Sequence, residues 1–166
     1  MEIVISDAST LILLTKSKFI NNIIQHFELI IPSIVYAEIQ KGKEKGHIDA
    51  YVVEELVNIG KIKIKDPSKE TILKINNQFK LVKGELYAVA LCLENKNRVI
   101  FMDDKRGIRV CNFLEIDVYT ALSLLKIFYL SKLITKQNAE EYFYSLKRFG
   151  RYTDDELNEA KMIWEV

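Results

Sequence analysis

The 166-residue sequence has little of several things that would fix its class at a glance: two cysteines, two prolines, two histidines and six glycines. Cys92 and Cys111 form no CxxC pair, and His26 and His47 lie far from both. That spacing argues against a zinc site, and both thiols are expected to be reduced and at least partly buried. There is no run of eighteen apolar residues, so no membrane-spanning helix is expected. The opening Met1–Asp7 lacks a basic start and an acid interrupts its apolar stretch. It does not read as a secretory signal, and a cytoplasmic protein is expected. Neither repeats nor a Pro/Gly/Ser linker divide the chain. One domain over 1–166 is expected, with a core over about 2–130 and a helical extension over about 135–166. The chain also lacks a charge excess: 24 Lys and Arg against 23 Asp and Glu leave a formal +1. With no global positive field, a nucleic-acid partner would have to be held by a local patch.

What is present is a 49% hydrophobic composition, enough for a sizeable core, distributed in alternating short and long segments. Glu2–Ser6, Glu28–Ile31, Lys61–Lys65, Arg98–Met102 and Ile116–Tyr119 read as strands. Helices are expected near Leu11–Leu14, over Phe19–Phe27, from Ser33 to about Lys41, over Ile48–Ile59, after Asp66–Pro67, over Glu85–Glu94, near Ile108–Leu114 and over Thr120–Tyr129. Gly42–Gly46 reads as a lysine-rich turn, and Gly60 as a helix C-cap. Thr135 and Thr153 have the chemistry of N-caps for two tail helices, and Thr153–Glu156 fits a capping box. Strands alternating with helices imply an α/β fold with a mainly parallel sheet, in which ligands bind beyond the carboxyl ends of the strands.

That rule directs attention to the acids. Asp7 follows the first strand and Asp103-Asp104 follow the fourth, so two strands deliver carboxylates to one sheet edge. Taken singly, Asp7 reads equally well as a helix N-cap and the doublet as an acidic turn. Glu38 shares a helical face with Ile34 and Val35, and Glu85 with Ala88, Val89 and Cys92. A carboxylate on an apolar stripe is expensive unless paired or bound to metal, so both read as site residues rather than solvated charges. A first-turn helix position also accounts for Glu85 in part. Carboxylates without His or Cys partners suit Mg²⁺ or Mn²⁺, which take oxygen ligands and assist phosphodiester chemistry.

Val4-Ile5-Ser6-Asp7-Ala8-Ser9-Thr10, Ile31-Pro32-Ser33-Ile34-Val35-Tyr36-Ala37-Glu38, Gly84-Glu85-Leu86-Tyr87-Ala88 and Val99–Arg109 together resemble, in order, the four motifs of PIN domains. The resemblance covers residues 2–130 and points to relatives of VapC-type toxins. It implies a three-layer α/β/α fold around a mainly parallel sheet of four or five strands, with a helical C-terminal tail. It further implies a Mg²⁺- or Mn²⁺-dependent endoribonuclease, with Asp7, Glu38, Glu85 and Asp103 or Asp104 as metal ligands and Ser9 bonded within the acidic site. Many relatives are toxins silenced by a small antitoxin. The third acid is Glu85 where the usual residue is aspartate. For the fourth, strand-end geometry favours Asp103 and motif spacing favours Asp104, so both stay in the set.

Lys105, Arg106 and Arg109 make the segment beside the doublet basic. They suit phosphate contacts, although Lys105 and Arg106 fit a solvated helix face as well, and Arg109 could instead orient a carboxylate. In the tail, Tyr142-Phe143-Tyr144, Arg148, Arg151-Tyr152 and Trp164 interleave aromatics with arginine. Base stacking is one use, but packing onto the domain, or onto a homodimer or antitoxin partner, is the favoured one. His26 and His47 are expected at the surface. The alternative to a nuclease is a catalytically silent PIN-like module that binds RNA or protein. A receiver or phosphatase ranks low, because residues 7–9 read Asp-Ala-Ser and not the DxD such chemistry needs.

Overall fold

The computed structural model describes residues 1–165. Five strands, β1 (Glu2–Ser6), β2 (Phe27–Ile31), β3 (Ile62–Ile64), β4 (Val99–Phe101) and β5 (Asp117–Tyr119), form one sheet in the order β3-β2-β1-β4-β5. Every pairing is parallel. The central β1 carries Val4 and Ile5 with both faces covered, which explains its unbroken apolar run. From β1 the chain winds outward to β2 and β3, then returns to β4 on the other side. The point where strand order reverses therefore lies between β1 and β4, beside Asp7 and the Asp103-Asp104 pair.

Helices cover both faces, giving the expected three-layer α/β/α arrangement. Helices α1 (Ala8–Lys16), α3 (Ser33–Gln40) and α4 (Ile48–Asn58) pack together on one side. Helices α5 (Lys69–Gln78), α6 (Lys83–Glu94) and α7 (Lys105–Phe113) form the other layer around Ile5, Ile100 and Met102. A short α2 (Ile20–His26) leads into β2, and α8 (Ala121–Leu130) follows β5.

Most expected elements appear within two residues of their predicted ends. Two differ more. The helix after Asp66–Pro67 begins only at Lys69, because Ser68 supplies the cap by accepting from the Thr71 amide. Asp66 instead accepts from the backbone and hydroxyl of Ser33. Helix α7 starts three residues early because Asp104 caps it.

The tail is no appendage. Helices α9 (Lys136–Phe149) and α10 (Asp154–Lys161) are capped by Thr135 and Thr153, the latter in the full capping box. They place Phe143, Leu146, Leu157, Ala160 and Trp164 in the main core against α1 and α8. This is the packing role expected of the tail aromatics. Tyr142 stacks on Phe19 and donates to Asn22 Oδ1. Both cysteines are free and buried. His47 is exposed, whereas His26 is partly covered, its ring edge-on to Phe128 and its Nδ1 2.9 Å from Asn22 O. Among the described residues no helix is long and apolar enough to cross a membrane.

Candidate active site

At the carboxyl end of β1, Asp7 turns the chain into α1. Its Oδ1 accepts from the Thr10 amide at 2.9 Å and its Oδ2 from the Ser9 hydroxyl at 3.0 Å. Asp7 is thus an N-cap, and it is also buried, which an ordinary cap is not. Burial pushes its carboxyl up to about 6, against the lowering effect of its hydrogen bonds, with the Asp103 charge adding to the rise. The Ser9 contact is the one the motif implied.

Strand β4 runs on through Met102 into the doublet. Alternation along the chain sends the two side chains to different tasks. Asp103 turns inward: Oδ2 accepts from the Ala121 amide at 3.0 Å, and Oδ1 from the Tyr152 hydroxyl at 2.5 Å. Burial raises its carboxyl above the usual range, with Tyr152 and Ala121 opposing. Asp104 caps α7 through Oδ1, which accepts from the Gly107 amide at 2.9 Å. Its second oxygen makes no hydrogen bond among the described residues. The Thr10 hydroxyl faces Asp7 and Asp103 and helps hold both carboxyls down. It closes a full hydrogen bond with neither, and remains a buried polar atom without a partner.

Glu85 comes from the first turn of α6 and is half-buried, with Ala88, Val89 and Cys92 of its face fully buried. Its carboxyl is pushed up to about 7, by desolvation first, then by the charges of Asp104 and Asp7; Arg106 opposes. Asp7, Glu85, Asp103 and Asp104 therefore share one electrostatic neighbourhood. Glu38 is a correction. Its neighbour Val35 is buried, but Glu38 itself is exposed, so the apolar stripe of α3 does not bury its carboxylate. Its Oε2 lies 2.8 Å from where a Cβ on Gly84 would stand, beside the first turn of α6, but Glu38 does not line the cleft. Glycine at 84 leaves room for this carboxylate next to Glu85.

A cleft of about 630 Å³ opens over this edge. Glu85, Asp103 and Asp104 form part of its lining, and Phe149, Arg151 and Tyr152 of the α9–α10 loop form another part. Gly150 permits that loop: a Cβ there would strike the Tyr152 ring and stand 2.7 Å from Leu146 O. Sequence reasoning assigned this loop to packing and missed its place at the site. The signal was there in Arg148 and Arg151-Tyr152, for which base stacking was the less favoured use, but nothing local in the sequence says that the loop reaches the acidic edge, and Phe149 drew no notice. Of the basic residues, Lys105 lines the cleft and Arg106 acts on Glu85. Arg109 is exposed, and no ion pair to a site carboxylate forms among the described residues.

The donor chemistry fits a hard cation. It is all oxygen, and two of its members are raised in part by neighbouring carboxylates, a repulsion that a divalent ion would relieve. Among the described residues, however, no three acids already converge as a closed ligand set.

A family model described as a PIN domain matches residues 3–163. The chain belongs to the PIN domain family, whose members are typically nucleases. The match runs past residue 130 through α9 and α10, so the tail is part of the family's domain. No curated protein matches the sequence. A solved domain of a functionally unknown protein from Methanocaldococcus jannaschii DSM 2661 covers 72% of this chain and 91% of its own length, at 18% identity and a TM-score of 0.46.

Proposed function

We propose that the protein is a Mg²⁺- or Mn²⁺-dependent endoribonuclease that hydrolyses RNA phosphodiesters at this acidic edge. One observation carries the reading. Carboxylates from the ends of β1 and β4 and from α6 act on one another's charge where strand order reverses, and three of them, Glu85, Asp103 and Asp104, line a cleft that also bears cationic side chains. An acid cluster maintained merely for stability would be a poor investment, because buried like charges raise one another's pKa and weaken the fold.

In this reading Asp7, Glu85, Asp104 and Glu38 hold the cation. When bound, it would polarise the scissile phosphodiester and make a water nucleophilic near neutral pH. Ser9 fixes the Asp7 carboxylate by bonding Oδ2. Asp104 is taken as the ligand of the doublet because its charge acts on Glu85 and its Oδ2 is uncommitted, whereas Asp103 faces away from Glu85 toward Tyr152 and Ala121, which hold both its oxygens. Asp103 is a positioning residue that ties the tail loop to the site. Lys105 and Arg106 meet the phosphates. Regulation by a small antitoxin would extend this reading on the family likeness alone.

The test is cleavage of a mixed single-stranded RNA pool with Mg²⁺ or Mn²⁺, by wild-type and Asp7→Asn protein, with a chelator control. Cleavage by the wild type only, abolished by chelation, is expected. Equal and absent activity in both proteins would overturn the proposal.

A further inference from the structure

The geometry points to a base-stacking subsite on Phe149, which seats one unpaired nucleotide beside the scissile position while Lys16, Arg148 and Arg151 take the flanking phosphates. This deepens the nuclease reading and rests on it for the identity of the strand.

Phe149 ends α9 and is 43% exposed, and of the exposed aromatics Tyr51, Phe113, Tyr144 and Phe149 it is the one that lines the cleft. It lines the same cleft as Glu85 and Asp104. Two cations lie over the ring, Lys16 Nζ and Arg148 Cζ, each 5.2 Å from its centroid; both are exposed side chains that an incoming base would displace toward its own flanking phosphates. Lys16 and Arg151 also line the cleft. Among the described residues none of Lys16, Arg148 and Arg151 is ion-paired to a carboxylate. An exposed aromatic ring whose face is covered only by exposed cations without carboxylate partners, at the mouth of an acidic centre, is an arrangement that a single strand can use. Bases stack on the ring, and the backbone tracks the positive charge. A paired base would not present its face, so the subsite selects unpaired nucleotides. The volume, about 630 Å³, lies within the range of roughly 300–1,000 Å³ typical of ligand sites.

The loop is also held in place rather than left to swing. Tyr152 donates to Asp103, and Gly150 admits the Tyr152 ring against the chain. The stacking surface therefore stands at a fixed position relative to the acids, which would set where along a strand the cut falls.

The experiment uses single-stranded oligoribonucleotides carrying 2-aminopurine at successive positions, and the matching duplex. Binding is followed by anisotropy and by quenching of the probe, in chelator so that nothing is cut, with the full-length protein. Wild type is expected to bind the single strand and to quench one position most. Phe149→Leu should weaken binding about tenfold and remove that quenching, while Phe149→Trp keeps both. Lys16→Gln and Arg151→Gln should each lower the salt slope by about one. Equal binding of single strand and duplex, or unchanged quenching in Phe149→Leu, would overturn the subsite. Cleavage measured separately with Mn²⁺ distinguishes the two readings. Asp7- and metal-dependent cleavage that ignores Phe149 removes the subsite alone. Phe149-dependent binding with no cleavage by wild type removes the nuclease and leaves the subsite standing.

Discussion

The Tyr152 hydroxyl donates to Asp103 Oδ1 across 49 positions of sequence, at 2.5 Å, and joins the last loop of the chain to the end of the fourth strand. Burial and the facing carboxylate both push the Tyr152 hydroxyl up, so it stays a donor at any working pH. Removing it leaves a buried carboxylate one partner short. Tyr152→Phe should therefore cost about 1–3 kcal/mol in urea unfolding and weaken RNA binding through a loosened α9–α10 loop. An unfolding midpoint and affinity equal to wild type would show that the contact holds nothing.

The two aspartates of the doublet should separate cleanly when each becomes asparagine. Asp103→Asn puts an amide donor on a side chain whose two oxygens now accept from Tyr152 and Ala121, so stability should fall by about 1–3 kcal/mol. Asp104→Asn keeps a good N-cap for α7, because asparagine caps as well as aspartate, and should change stability by less than about 1 kcal/mol. Its loss should appear in catalysis instead, at least a hundredfold in kcat/KM, about 2.7 kcal/mol or more of transition-state stabilisation. The reverse pattern would make Asp103 the ligand.

Gly84 and Glu38 offer a variant that splits stability from activity. Alanine in place of a helical glycine gains up to about 1 kcal/mol of helix propensity. Its Cβ, however, would stand 2.8 Å from Glu38 Oε2, the far end of a flexible side chain that can yield at little cost. Gly84→Ala should be as stable as wild type or more so, yet less active at limiting Mn²⁺, with recovery as Mn²⁺ rises. Unchanged activity at low Mn²⁺ would remove Glu38 from the ligand set.

These residues also show where the sequence was informative. Strand ends were legible because short β-branched runs break at Asp7 and at the doublet, and parallel topology then puts both at one edge. Glu85 was legible from the apolar face of α6. Glu38 enters on a premise that the structure overturns: helical spacing places it near Val35, but spacing alone does not say that a side chain at the margin of a stripe turns outward. The division of labour in the doublet depends on Tyr152 and Ala121, distant in sequence, and no local pattern encodes such a pair. The same holds for the tail. Its caps were readable from Thr135 and Thr153, while its packing against α1 and α8 is a tertiary fact.

The pKa shifts of Asp7 and Glu85 set the pH dependence and its sign. Asp7 moves from 3.8 to about 6 and Glu85 from 4.5 to about 7. A carboxyl with a raised folded pKa binds more protons when native than when unfolded, so stability falls as pH rises through that window. The loss begins near pH 3.8, is complete for Asp7 above about 6 and for Glu85 above about 7. For the buried Asp7, a shift of about two units corresponds to about 3 kcal/mol. Asp7→Asn keeps an oxygen for the Thr10 amide and removes the charge. It should match wild type near pH 3.5 and exceed it by up to about 3 kcal/mol at pH 8, while cleaving nothing. Mn²⁺ should narrow the gap at pH 8 by stabilising the wild type alone. Activity runs the other way: at limiting Mn²⁺ the ion competes with protons for both carboxylates, so activity should rise through pH 6–7, and the rise should move to lower pH as Mn²⁺ increases. Arg106→Gln, which removes a charge that lowers Glu85, should move that rise to higher pH. A flat stability difference between pH 3.5 and 8, with an unmoved activity profile in Arg106→Gln, would show that these carboxyls are not strained against one another.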